Sequence, residues 1–348
     1  MSTINEIAKR ANVSIGTVDR VIHNRGRVSK ETEKKIRKII EELNYKPNIL
    51  ARSLSLSRIF HFGVLMPKIS PENQYWEIAV RGIDKAQSEL KIHKVKITYF
   101  QYVGYSERSF KRESNKVLKE NLDGLLFAPT IYKTIDSEFI EKIPPNLPFI
   151  FFNSKIPNTN CLAYIGQDSF QSGVLSAKLM QMLVKQKGTI AIITIFPDDY
   201  HINERAKGFK SFFKGNKDIE TKIYGPDRSE DKRAFERISK TIVSENENLQ
   251  GIFVTTALTY RVAEFIKSQG LKRKIFLIGY DLTERNIKYL KEGIIDFLIS
   301  QKPEIQGYQG IYTLYKHVVL KEKVEAKIMM PLDIVTKENI DYYDIAKF

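Results

Sequence analysis

The sequence predicts an α/β protein in two parts: a small all-α unit at the amino terminus, then a larger, two-lobed part built on doubly wound parallel sheets. Three observations lead there. Basic charge is concentrated at the amino end, where the first 60 residues hold 13 Lys and Arg against 6 Asp and Glu, out of 56 and 41 in the 348-residue chain. Apolar residues in that same segment recur at helical spacing. From Ile59 onward short apolar runs alternate with amphipathic stretches of helical period.

The composition, 42% hydrophobic and 28% charged, leaves ample material for a globular core. A single cysteine, Cys161, excludes an intramolecular disulfide and any multi-cysteine metal site. No apolar run reaches the roughly 18 residues a membrane helix needs. The first twenty residues lack the apolar stretch of a secretory signal, so the chain is expected in the cytoplasm, with no membrane partner. The net charge of +15 fits nucleic acid, an anionic surface or merely a lysine-rich chain, and its placement favours the first.

The opening helix is announced by Thr3-Ile4-Asn5-Glu6, the spacing at which a hydroxyl and a carboxylate satisfy the free N–H groups of a helix start. Ile4, Ile7, Ala8 and Ala11 share one face. Ala11-Asn12-Val13 makes a tight break, and Ser14 caps a second helix with Val18, Val21 and Ile22 inward. Two such short helices cannot bury their stripes alone. A third, starting at Ser29, supplies Ile36, Ile39, Ile40 and Leu43. This is a helix-turn-helix with a supporting helix, the second helix of which enters the DNA major groove. Its outward residues are Ile15, Gly16, Thr17, Asp19 and Arg20, with His23 and Asn24 at its end. Arg20 can reach a guanine edge or a phosphate, and Thr17 a base or a phosphate. Asp19 either accepts from a cytosine amine or steadies Arg20. Arg27, with Arg25 and Lys30, reads as a phosphate anchor.

Residues 3–57 resemble the DNA-binding headpiece of the LacI/GalR family of bacterial transcription regulators. IAKRANVS, TVDRVIHN, RVSKET and ELNYKPN stand in the family's order and spacing. One departure is Asp19, where the family usually has Ser, so base preference does not carry over. The resemblance implies a headpiece over 1–46 and a hinge over 47–59 that folds into a short helix on DNA. It places Asn48 near the start of that helix, Ala51 at its contact with the partner hinge, and Leu54 as an apolar wedge between base pairs. Packing on the core is the plainer reading of Leu54. The DNA-facing set is then Thr3, Ser14, Ile15, Gly16, Thr17, Asp19, Arg20, His23, Asn24, Arg27, Asn48, Ala51 and Leu54.

The remaining 60–348 carry expected strands at Phe62–Met66, Lys96–Phe100, Gly124–Ala128, Phe149–Phe152, Thr189–Ile195, Gly251–Thr255 and Lys274–Gly279. Helical stretches such as Trp76–Leu90, Phe170–Val184, Glu204–Phe213 and Tyr260–Gln269 lie between them. The length suits two lobes, and the loops after the strands' carboxyl ends form the default ligand site. Over about 60–338 the chain resembles the type I periplasmic sugar-binding fold, which the LacI/GalR family uses as its effector and dimerisation core.

That resemblance implies an aromatic stacking on a sugar ring at Tyr75 or Trp76, and sugar hydroxyls bound by Arg205, Asp281 and Gln301. Asn153 and Asp168 are further landmarks. Competing structural roles exist: Trp76 can anchor the lobe core, Asp168 can cap a helix beginning near Phe170, and Asp281 one at Glu284. Val254-Thr255-Thr256-Ala257 departs from the polar pair common in sugar-binding relatives.

Catalysis finds no support. The five histidines, His23, His61, His93, His201 and His317, form no ligand-spaced pair, and neither a phosphate loop nor a nucleophile elbow occurs. Asp198-Asp199 reads as a polar loop. No cofactor or metal is expected. The function expected is a sequence-specific transcription regulator, a repressor acting as a homodimer on near-palindromic operator DNA and controlled by a small molecule, most simply a sugar. Two alternatives stay open: a carbohydrate-binding module without a DNA role, and a regulator sensing a purine, a sugar phosphate or a partner protein.

Overall fold

The computed structural model describes residues 4–22, 26, 28–43, 58–71, 74–130, 136–184, 187–196, 199–225, 232–272 and 274–343. The chain divides into two compact units, Met1–Ser57 and Arg58–Phe348. In the first, helix α1 spans Ile4–Ala11, α2 Ile15–Ile22 and α3 Lys30–Glu42. Glu6 in the first turn of α1 and Lys9 and Arg10 in its last complement the helix dipole. Asn12, at φ 55°, ends the helix in the left-handed conformation that asparagine tolerates. Ser14 then caps α2, its Oγ accepting from the Thr17 N–H at 3.2 Å, and Ser29 caps α3 by the same bond to Thr32 N–H at 3.2 Å. Ile7, Ala8, Ala11, Val18, Val21, Ile36 and Ile39 close into one core. Each buried Val or Ile there contributes about 1.5–3 kcal/mol, so this small unit has little to spare.

The second unit holds two parallel sheets. The first lobe comprises β1 (Phe60–Pro67), β2 (Val95–Tyr102), β3 (Gly124–Phe127), β4 (Phe149–Phe152) and β5 (Ala163–Gly166), with helices α4 (Tyr75–Leu90), α5 (Glu107–Lys119) and α6 (Asp136–Lys142) between them. Then come α7 (Ser169–Leu183), β6 (Gly188–Ile193), α8 (Tyr200–Phe212), β7 (Ile219–Tyr224), α9 (Lys232–Glu245), β8 (Leu249–Val254), α10 (Thr259–Ser268), β9 (Phe276–Tyr280), α11 (Glu284–Lys291) and β10 (Phe297–Ser300), which make the second lobe. Helix α12 (Pro303–Val318) and β11 (Lys327–Met329) return to the first lobe, and β12 (Asp333–Val335) ends in the second. The sheet orders are β11-β5-β4-β3-β1-β2 and β12-β10-β9-β8-β6-β7, all parallel but for β12. Helices cover both faces, which is why β3 and β4, and β1 from Phe62 on, read as unbroken apolar runs.

The seven expected strands are present, Phe149–Phe152 with the expected ends and the other six with one or both ends shifted by one or two residues. β5, β7, β10, β11 and β12 lacked a pattern strong enough to single them out. Backbone crosses between the lobes at 167–168, 301–302 and 330–332. One side chain ties these crossings together: Gln167 Nε2 donates to the Ser300 carbonyl at 2.8 Å and to the Pro331 carbonyl at 2.6 Å. Helices α7 and α8 lie backbone against backbone, because a Cβ on Gly173 would stand 2.1 Å from the Arg205 carbonyl oxygen, and one on Gly208 would stand 2.0 Å from that of Phe170. No described helix is long and apolar enough to cross a membrane.

Candidate functional site

Two surfaces carry the candidate residues. On α2, Ser14, Ile15, Gly16 and Arg20 are exposed and Thr17 and Asp19 half-buried, while Val18 and Val21 point into the core. The helix therefore presents its amino-terminal turn and one flank outward. Ile15 is 49% exposed, an apolar side chain with no core to serve. At Gly16 an added Cβ would meet only the Ser14 hydroxyl, at 3.8 Å, so another surface can approach the backbone here. Ser14 Oγ also lies 3.0 Å from Thr17 Oγ1. Thr3, His23, Asn24, Arg27, Asn48, Ala51 and Leu54 lie outside the described residues.

The second surface is a cleft between the lobes, lined by segments that follow the carboxyl ends of strands. Arg205 lies at its centre on α8, 1% exposed. A buried guanidinium must be paired, and this one is held on three sides. Nη1 donates to the Thr255 carbonyl at 2.8 Å, Nη2 to Gln301 Oε1, and the Tyr280 ring lies 3.8 Å beneath the plane. Gln301, just past β10, turns its Nε2 to both oxygens of Asp281 at 3.0 and 2.8 Å. Asp281 itself stands at φ 70° just past β9, a strained position for a non-glycine residue. Burial pushes its carboxyl up to about 7, against the opposing pull of Arg205 and of the Gln301 hydrogen bond.

From the first lobe come Asn153, at φ 65° after β4, and the aromatic pair Tyr75 and Trp76 at the start of α4. The Asn153 backbone N–H donates to Gln306 Oε1 at 2.9 Å, leaving its side-chain Oδ1 buried without a partner among the described residues, as is Arg205 Nε. Two buried groups, one able to accept and one to donate, thus belong to residues that line the cleft. Trp76 packs edge-on to Phe152 at 6.0 Å within the lobe core and also lines the cleft, so the two readings of it are compatible. Of the seven residues singled out, Tyr75, Trp76, Asn153, Arg205, Asp281 and Gln301 come together there.

Asp168 does not. It is exposed, lies outside the cleft lining, and caps α7 by accepting from the Gln171 N–H at 2.9 Å, so its capping role prevails. Asp281 caps nothing, since Thr283 caps α11.

Sequence reasoning passed over Asp199 and His201. Asp199, set aside as part of a polar loop, is fully buried and caps α8. Its Oδ1 pairs with His201 Nδ1 at 2.5 Å and accepts from Ser154 Oγ of the other lobe at 3.1 Å. Tyr105, from the first lobe, stacks on Phe196 of the second with ring centroids 3.3 Å apart, and its hydroxyl is 3.5 Å from Asp199 Oδ2. Burial lowers the His201 imidazole below its usual value, outweighing the pull of Asp199. The signal was in the sequence: an Asp two residues before His, at the start of an amphipathic helix, fits a cap.

Residues 3–48 match the bacterial regulatory proteins of the lacI family, and residues 62–323 match the periplasmic binding protein domain family. The chain belongs to the LacI family of regulators. The ribose operon repressor of Lactococcus lactis subsp. lactis is 24% identical over 344 residues, 98% of this chain and 98% of that protein. Among solved structures, a Bacteroides fragilis chain assigned to the LacI transcriptional regulators has a TM-score of 0.75 at 29% identity, covering 82% of this chain and all of that one. A Burkholderia graminis solute-binding protein in complex with D-arabinose also scores 0.75, at 20% identity over 83% of this chain and 99% of its own, and so attests the fold alone. As a LacI-family member the chain is a DNA-binding transcription regulator and not an enzyme. Among the described residues no group of His, Cys, Asp and Glu is arranged to hold a metal ion.

Proposed function

We propose that this LacI-family regulator is a repressor whose operator affinity is set by a sugar held between the lobes of its core. The observation that carries the reading is the network of Arg205, Gln301 and Asp281, open to a cleft beside the unpartnered Asn153 Oδ1 and Arg205 Nε. Vicinal hydroxyls donate and accept at neighbouring positions, which such a set can saturate, while Trp76 and Tyr75 offer apolar surface to a ring face. The name of the Lactococcus relative points the same way.

In this reading α2 lies in the major groove, with Ser14, Ile15, Gly16, Thr17, Asp19 and Arg20 toward the DNA and Thr3, His23, Asn24 and Arg27 beside them. Asn48, Ala51 and Leu54 form the hinge contact. The protein acts in the cytoplasm as a homodimer, because one headpiece makes few contacts and two related by a two-fold axis read a near-palindromic site. A sugar that binds the closed lobes better than the open ones shifts their population and thereby the hinges. Thermal stabilisation across sugars, sugar phosphates and nucleobases tests the ligand class. A purine that stabilises where no sugar does would overturn it.

A further inference from the structure

We propose that the cleft selects an uncharged sugar and rejects phosphorylated and carboxylated ones, and that the Asp199–His201 pair is a specificity determinant in it. The proposal rests on the sugar reading above and deepens it.

Four ionisable side chains of ordinary acid or base character line the cleft among the described residues: Asp199, His201, Arg205 and Asp281. Lys155, next to Ser154, does not line the cleft and lies over the rings of Tyr164 and Tyr200 at 5.2 and 5.7 Å. An anionic ligand is held most firmly by a cation with free donors, and none of these four supplies one. Arg205 spends both terminal nitrogens on Thr255 and Gln301 and lays one face on Tyr280, so only Nε remains, too little for the paired grip by which arginine holds phosphate or carboxylate.

His201 is the other possible cation, and its surroundings keep it neutral. Burial is the dominant influence on its ring, and Arg205 adds to the effect. With Nδ1 bound to the Asp199 carboxylate, the neutral ring carries its proton there and leaves Nε2 as a lone-pair acceptor, suited to a ligand hydroxyl. Asp199 itself is a fully buried carboxylate, tied to His201, to Ser154 and to the Tyr105 hydroxyl. A phosphate would therefore meet acceptors and a carboxylate where it requires donors. A neutral polyol supplies a hydroxyl proton to His201 Nε2 and brings no charge against the buried Asp199 carboxylate, and its C–H faces suit Trp76 and the Tyr105–Phe196 stack.

The test is isothermal titration of the full-length protein with neutral aldopentoses and aldohexoses, their terminal phosphates and the matching uronic acids. The expected result is that at least one neutral sugar binds and that its phosphate and uronate bind at least about a hundredfold more weakly, as one uncompensated like-charge contact in a partly dry cleft would impose. Asp199→Asn should narrow that gap by about tenfold or more, a change in ratio that a merely structural role would not produce. A phosphate or uronate binding as well as its parent sugar would overturn the proposal and leave the sugar reading intact. Binding by neither class would overturn the sugar reading and this proposal with it. Should Asp199→Asn not fold, the wild-type ratio still decides, and His201→Gln provides the second variant.

Discussion

The side-chain amide of Gln301 straddles the carboxylate of Asp281, with Nε2 3.0 Å from one oxygen and 2.8 Å from the other. The same Gln301 accepts from Arg205, so the three act as one unit, and Asp281 is held at a pKa of about 7 chiefly by burial. An acid raised from 3.8 on folding contributes stability that is full below about pH 4 and is lost as pH rises through 7. Asp281 should therefore cost the ligand-free protein stability as pH rises from about 4 to about 7, on the order of 1–3 kcal/mol from this group. Asp296, raised to about 6 by burial, acts in the same direction. Asp281→Asn should flatten the slope and abolish stabilisation by sugar. Urea melts at several pH values check this, and an unchanged slope in the variant would contradict it.

The close approach of α7 to α8 sets where Arg205 stands. Gly173→Ala puts a Cβ 2.1 Å from the Arg205 carbonyl, a backbone atom that cannot swing aside. Separating the helices should cost about 1–3 kcal/mol and displace the guanidinium from Gln301. The urea midpoint should fall and sugar affinity with it. Full affinity in a well-folded variant would show that the helix contact does not position Arg205.

Gln167 joins three crossings through two carbonyls, while its own Oε1 is buried without a partner among the described residues. Gln167→Glu replaces the donor by an oxygen facing two carbonyl oxygens, whereas Gln167→Ala simply removes it. Both should destabilise, by about 1–3 kcal/mol for Ala and more for Glu. The ratio of operator affinities with and without sugar should also change, since the proposed lobe closure must pass through these crossings. If stability fell while that ratio held, Gln167 would be a structural tie only.

At the headpiece, operator binding should weaken steeply with salt as phosphate contacts release counterions. Leu54→Ala should reduce DNA bending and specific affinity with little effect on headpiece melting. Fluorescence resonance energy transfer between labelled operator ends reads the bend, and an unchanged bend would exclude the wedge.

Legibility in the sequence followed the range of the interactions. Ser14, Ser29 and the Val18–Ile36 core rest on contacts within a turn or between adjacent helices, and their spacing was enough to place them. The alternation of strands and helices placed the cleft at the strand ends, whereas Arg205, Asp281 and Gln301 were implied by the resemblance to the sugar-binding fold and not by any local pattern. Gln167 could not be read, because its partners lie 133 and 164 residues away. β7, at a sheet edge, alternates Ile and charged residues and so resembles a polar surface segment. Asp199 and His201 were missed for a local reason: the helix carrying Arg205 was expected from Glu204, and it starts at Tyr200, one turn earlier, because Asp199 caps it. Asp168 shows the converse, a carboxylate whose local capping bond outweighed its place in a ligand-binding pattern.

The most direct measurement is the affinity of the full-length protein for its upstream DNA, by fluorescence anisotropy, with and without the sugar that raises its melting temperature. The operator dissociation constant should shift by about tenfold or more, equivalent to roughly 1.4 kcal/mol of coupling. A sugar that saturates the cleft yet leaves operator affinity unchanged would contradict control of DNA binding by the ligand.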